Sequence, residues 1–307
     1  MTNYKIIQKR KIWLTISITL FVAAILALFV WGFKYGIDFT GGSLLEVNFP
    51  DNPPAISEVQ TSLSGLELGS LAVQPVGERG LILRFQEASE EKHQAIVAKL
   101  NSMIVTDKKE QTVEELRFES VGPSIGKELK RKSIYATFFV LLGILTYITY
   151  AFRKVSKPVA SWKYGSAAII AMFHDAIITM GVFAILGKFY GMEINTAFVA
   201  AILTVIGYSV HDTIVVFDRI RENLPRSSED FEGTVNIGLN QTLVRSVNTS
   251  LTVILVLLSI IIFGGASIRG FALALAIGIF FGTYSSIFVA PPLLVIWEGW
   301  KKKSKAS

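Results

Sequence analysis

Six stretches of this chain are long and apolar enough to cross a bilayer, and they limit its fold more than any other feature. They lie near Ile12–Phe33, Ser133–Phe152, Trp162–Leu186, Asn195–Phe217, Arg245–Phe263 and Phe271–Trp297. A hydrocarbon core of about 30 Å takes roughly 20 apolar residues in a helix, and each run is near or above that length. The mean hydropathy of +0.49 is too high for an ordinary soluble enzyme. The expected fold is therefore a polytopic α-helical membrane protein with six transmembrane helices.

The charge pattern orients the spans. Lys9, Arg10 and Lys11 precede the first run, Arg153, Lys154, Lys157 and Lys163 separate the second from the third, and Lys301, Lys302, Lys303 and Lys305 follow the sixth. Six crossings place these three clusters on one side, which the positive-inside rule makes cytoplasmic. Lys130, Arg131 and Lys132 fall on the other side, beside a long acidic region of the kind that obeys the rule poorly. The net charge of +6 thus reads as topology and lipid contact, not as a nucleic-acid surface. Trp13 and Trp31 stand about 27 Å apart along a helix, matching an aromatic belt at both interfaces. The first run is too long for a signal-peptide core and reads as an uncleaved anchor.

Between the first two runs lies one polar region, residues 34–128. Ser43–Phe49, Ser70–Val76, Gly80–Phe85 and Glu115–Val121 read as strands, and Ala55–Leu63 and Ser89–Met103 as helices, the second capped by Ser89. The order βαββαβ predicts a small α+β, ferredoxin-like domain, here extracytoplasmic, with Leu81, Leu83, Phe85, Ile96 and Leu100 in its core. The expected organisation is 1–33 for the N-terminus and first span, 34–128 for this domain, 129–297 for five more spans, and 298–307 for a basic cytoplasmic tail.

The residues with chemical potential lie inside the spans. Asp212 interrupts an otherwise apolar run, and an intramembrane carboxylate costs several kcal/mol unless it faces a partner or a wet path. Thr204, Tyr208, His211, Asp212, Asp218 and Arg219 share a stripe within about 120° on one helix. On the next span, Thr242, Arg245, Asn248, Thr249, Thr252 and Ser259 share a face, expected to turn inward. Arg245 is permanently charged and is the candidate partner that holds Asp212 ionised. A structural ion pair that never cycles is the alternative. His174 and Asp175 lie midway along the third span and, like Tyr208, His211 and Thr249, are candidates for the relay or its polar support, with a hydrogen-bonded core role as the alternative. Adjacent positions point about 100° apart, so the two are not expected to face one partner. His211 adjoins Asp212 and has a pKa suited to proton traffic, with helix–helix hydrogen bonding as the alternative. Gly278 and Gly282, followed by Thr283, Ser285 and Ser286, form a packing step in the sixth span. Glu222–Gly233 reads as a charged loop. Asp38–Gly42 sets the turn into the first strand through Gly41 and Gly42. The absence of cysteine excludes disulfides and thiolate chemistry. No HExxH, GxSxG or GxGxxG context occurs, so no enzyme activity, cofactor or metal is expected.

Five segments together resemble the SecD/SecF family of bacterial protein-export proteins, on its SecF side: Asp38–Gly42 (DFTGG), Val121–Pro123 with Gly126 (VGPxxG), His174–Gly181 (HDAIITMG), Gly207–Asn223 (GYSVHDTIVVFDRIREN) and Gly282–Ala290 (GTYSSIFVA). His211 stands where the family usually has asparagine. The resemblance implies a SecD-like partner subunit, association with the SecYEG channel, and use of the proton-motive force to move unfolded polypeptide outward across the bacterial plasma membrane. It implies an architecture like that of resistance-nodulation-division transporters. Asp212 and Arg245 fall on the family's essential membrane charges, and Asp38, Gly41, Gly42, Gly207 and Arg219 on its motifs. Some relatives couple to sodium instead of protons. Two rivals stay open at this stage: an ion-driven small-molecule or lipid exporter of the same superfamily, and a non-transporting membrane assembly scaffold.

Overall fold

The structure is a computed structural model that describes residues 4–86, 89–104, 112–151 and 160–306. Arg153, Lys154 and Lys157 lie outside the described residues. In chain order the elements are α1 (Arg10–Trp31), α2 (Ile37–Thr40), β1 (Gly42–Asn48), α3 (Ile56–Leu63), β2 (Ala72–Val76), β3 (Gly80–Phe85), α4 (Glu90–Asn101), β4 (Glu114–Val121), α5 (Pro123–Ala151), α6 (Ser161–Tyr190), α7 (Thr196–Asn223), α8 (Phe231–Phe263), α9 (Ala266–Phe288) and α10 (Ala290–Ala306). They form two compact units, Met1–Lys34 with Tyr135–Ser307, and Tyr35–Ile134.

Among the described residues, six helical segments are long and apolar enough to span a membrane, the last running from Ser267 to Gly299. Their ends differ from the apolar runs in informative ways. Helix α8 starts at Phe231, well before the apolar run, because Asp230 caps it by accepting from the Gly233 amide at 2.8 Å. The loop expected over Glu222–Gly233 therefore shrinks to residues 224–230, and Arg245 lies in the body of a helix instead of at its start. Asn195 caps α7 in the same way, accepting from the Phe198 amide at 3.0 Å. The sixth span is interrupted once along its length. The chain breaks at Val289, and Pro291 and Pro292 sit in the first turn of α10, where their missing N–H groups cost least.

In the membrane unit α9 packs against α6, α7 and α8, and α1 lies along α6. Small residues set these distances. A Cβ on Gly278 would meet Val205 at 2.1 Å, and one on Gly181 would meet the Ala24 backbone at 2.6 Å. The chain start is strapped to α8: the Tyr4 amide donates to Asn240, the Ile6 and Ile7 amides donate to Asn236, and Arg10 pairs with Glu232 at 2.6 Å.

The second unit is a four-stranded antiparallel sheet of order β2-β3-β1-β4. With its two longer helices this is the split βαββαβ arrangement. Strand alternation decides the core: Leu45, Val47, Leu81, Leu83 and Phe85 meet Val59 and Leu63 of α3 and Ile96 and Leu100 of α4, all buried. Ser89 is the N-cap residue of α4, but its side chain makes no capping bond, contrary to expectation. His93 of α4 stacks on Phe118 with ring centroids 3.8 Å apart, and its ring nitrogens reach Glu90 and Glu115.

Two of the glycine motifs meet here. Gly41 has φ of +76°, and a Cβ there would stand 2.9 Å from Pro123 Cα. A Cβ on Gly126 would stand 3.0 Å from the Gly41 nitrogen. The DFTGG and VGPxxG segments are thus two halves of one backbone contact. Gly41→Ala is expected to destabilise this unit by about 1–3 kcal/mol from overpacking, with left-handed strain in addition. Gly65→Ala, where nothing lies within 4 Å, is the neutral control. Limited proteolysis of the unit in the full chain reads the difference.

Candidate functional site

Asp212 lies well inside α7, which continues to Asn223, about 16 Å beyond it. It is half-buried and held from two other helices. Ser246 Oγ of α8 donates to its Oδ1 at 2.9 Å, and Ser286 Oγ of α9 donates to its Oδ2. Each carboxylate oxygen thus has one hydroxyl donor, from a different helix. Tyr208, one turn earlier, bonds Ser250 at 3.0 Å, and Ser250 bonds Thr283 of α9.

A second carboxylate is deeper. Asp175 is fully buried midway along α6. Its Oδ2 accepts from Ser209 Oγ of α7 and Ser285 Oγ of α9, each at 2.6 Å, and its Oδ1 lies 2.9 Å from His174 Nδ1. Among the described residues the two neighbours do not share a third partner; instead their side chains turn toward each other. Gly282 lets α9 approach: a Cβ there would sit 3.4 Å from Ser209 and 3.8 Å from Asp175 Oδ2.

Other expected residues fall elsewhere. Arg245 does not pair with Asp212. It is exposed in the single chain and makes no ion pair among the described residues. The inward turn expected of the α8 polar face is also corrected. Arg245, Asn248, Thr249, Thr252 and Ser259 are all exposed, whereas Thr242, Ser246 and Ser250 point into the bundle. Thr249 bonds back to the Arg245 carbonyl at 2.9 Å. His211 is exposed and makes no hydrogen bond among the described residues. Gly207 is exposed, with open space where a Cβ would be. Arg219 ties the end of α7 to α8 through Gln241 at 2.6 Å and bonds Glu222 at 2.8 Å. Asp38 lies in α2, in the other unit. Ser285 and Ser286, expected only to pack, are carboxylate donors, and Ser209, Ser246 and Ser250 were not singled out in the sequence. Thr242, Ser246 and Ser250 recur every fourth position, and that stripe was the available signal.

The arrangement is chemically specific: two carboxylates inside a helical bundle, each held by hydroxyls from neighbouring helices, next to an outward arginine. A family model described as the C-terminal part of the protein-export membrane proteins SecD and SecF matches residues 101–300, and one for the SecD/SecF GG motif matches residues 26–49. This chain belongs to the SecD/SecF family. Protein translocase subunit SecF of Thermobaculum terrenum is 47% identical, over 95% of this chain and 93% of that one. The SecF of Anaerolinea thermophila is 41% identical, over 95% and 94%. The crystal structure of SecDF from Thermus thermophilus, described as a translocon-associated membrane protein, superimposes with a TM-score of 0.81 at 32% identity. It matches 97% of this chain, which spans only 39% of that longer one.

Proposed function

We propose that this chain is a SecF-type accessory subunit of Sec protein export, in which Asp212 cycles between ionised and protonated states. The observation that carries this reading is a carboxylate within a membrane helix, held by one hydroxyl from α8 and one from α9. Protonation removes the charge those hydroxyls point at, so the packing of three helices follows the proton. One elementary charge crossing 100 mV is worth about 2.3 kcal/mol, enough to shift a two-state equilibrium substantially. The reading places the chain in the bacterial plasma membrane with both termini cytoplasmic and the ferredoxin-like unit outside, in line with the basic flanks. Export of a reporter with and without an imposed proton gradient tests it, and replacing the proton gradient by a sodium gradient distinguishes the coupling ion.

The outward face of α8 supports a SecD-like partner. An arginine at the centre of a membrane helix costs about 2.5–3.5 kcal/mol on insertion, and such groups turn to a partner or a wet cavity. In this proposal Arg245 meets an acidic or hydroxyl-rich helix of that partner, and the assembled pair works beside the SecYEG channel on unfolded polypeptide. The chain has no cysteine, so single replacements report without background. Thr249→Cys, on the exposed face, is expected to cross-link to the SecD-like subunit in native membranes. Ala168→Cys, fully buried on α6, is expected to give no cross-link. Equal labelling at both positions, or none at Thr249, removes α8 from the interface.

A further inference from the structure

His174 is buried, and its two ring nitrogens have different surroundings. Nδ1 faces Asp175 at 2.9 Å, whereas Nε2 is buried and has no hydrogen-bond partner among the described residues. One face of the ring is covered by Phe21 of α1, parallel to it with centroids 6.1 Å apart. Asp175 already has two hydroxyl donors on Oδ2. An ionised Asp175 therefore takes the Nδ1 proton as its third donor, which leaves the Nε2 lone pair bare. In that state the buried cluster carries one negative charge. Adding one proton at Nε2 breaks no bond and makes an imidazolium–carboxylate pair of zero net charge.

We propose that His174 and Asp175 form a second proton-binding site, loaded at Nε2 and linked to Asp212 through α9. The link is a pair of neighbours in sequence: Ser285 donates to Asp175 and Ser286 donates to Asp212. Ser209 of α7, one turn before Asp212, donates to Asp175 as well. A shift of α9 or α7 that alters one carboxylate's donors alters the other's. Ser285 has a second acceptor ready, the Gly282 carbonyl at 3.1 Å, to which it can turn when Asp175 is neutralised.

The ionisable groups on the helices packed around the pair are few. Helix α1 carries no ionisable residue between Lys11 and its end at Trp31. Helix α7 offers Tyr208, His211 and Asp212, with Asp218, Arg219, Arg221 and Glu222 in its last two turns, and α9 offers Arg269 and Tyr284, whose hydroxyl donates to the Trp13 carbonyl at 2.9 Å. Helix α10 offers Glu298, and α6 itself Lys163, Tyr164 and Lys188. Among the described residues, the ion pair of Asp175 is with His174 alone. The site's part in coupling rests on the proton-driven reading above; its existence does not.

The test is ¹⁵N NMR of ring-labelled histidine in the full chain in lipid nanodiscs. The sequence has three histidines, and His93→Gln with His211→Asn leaves His174 alone. Nε2 of His174 is expected to show both its bare and its protonated form as the pH is lowered across the range in which the protein stays folded. Asp175→Asn is expected to lower its proton affinity at least about tenfold, because the facing negative charge is gone. Asp212→Asn is expected to change that affinity about fivefold, the lower end of typical site–site coupling. A ring that keeps one protonation state across the range, or a midpoint unmoved by Asp175→Asn, overturns the site. A midpoint unmoved by Asp212→Asn overturns the link through α9. A His174 that titrates while Asp212→Asn retains gradient-driven export keeps this site and rejects the Asp212 reading.

Discussion

Membrane vesicles carrying Asp212→Asn are expected to lose the gradient-driven fraction of export entirely and to keep the ATP-driven fraction. Asparagine preserves the shape of the side chain. Its Oδ1 still accepts from Ser246, and its amide can donate to the Ser286 oxygen, so neither hydroxyl is stranded. What disappears is the ability to be charged in one state and neutral in another. The protein should therefore insert and reach normal abundance, because no buried donor is left unmet. A carboxylate with a purely structural role predicts another pattern, in which export falls in proportion to protein level. A scaffold predicts little change once protein level is normalised. Full gradient-dependent export by Asp212→Asn would sink the relay proposal.

Gly181→Leu is expected to remove most folded protein. A Cβ at this position of α6 would lie 2.4 Å from Ala24 Cβ, 2.6 Å from its Cα and 2.9 Å from its carbonyl oxygen. Two of those atoms are backbone, so α1 must move bodily. Ordinary overpacking costs about 1–3 kcal/mol by shifting flexible side chains, and a leucine here exceeds that range. Displacing α1 also lifts Phe21 from the His174 ring. Gly143→Leu on α5 is the control, since nothing lies within 4 Å of its Cβ position. Monodispersity and thermal unfolding of the detergent-solubilised protein distinguish the two, and a Gly181→Leu protein as stable as the control would overturn the packing argument.

The sequence made the fold readable wherever one physical cause dominated. Hydrocarbon thickness fixed the six spans, and alternation placed Leu81, Leu83 and Phe85 in the core of the sheet. Helix ends were less legible, because Asp230 starts α8 through a cap bond that apolar runs do not reveal. The break at Val289 was signalled by Pro291 and Pro292 but hidden by the hydropathy on both sides. At the site, Asp212 stood out because a charge in an apolar run is conspicuous. Ser209, Ser246, Ser285 and Ser286 did not, since serine is as common at helix packing faces as at carboxylates. The pairing of Asp212 with Arg245 was inferred from neighbouring spans of opposite charge. Sequence distance does not say which way a side chain faces, and Ser246, the next residue along, occupies the inward position instead.

The outward face of α8 has a consequence for the life of the subunit in the cell. An unassembled copy would display Arg245, Asn248, Thr249 and Thr252 to lipid, a feature that membrane proteases and insertases can recognise. Assembly would hide it. Copy number would then follow the supply of the partner without any transcriptional control: surplus chains would be short-lived, and pulse-chase labelling would show their half-life lengthening as the SecD-like subunit is co-expressed. Arg245→Leu would free the orphan from that surveillance, leaving a stable but idle protein in the membrane.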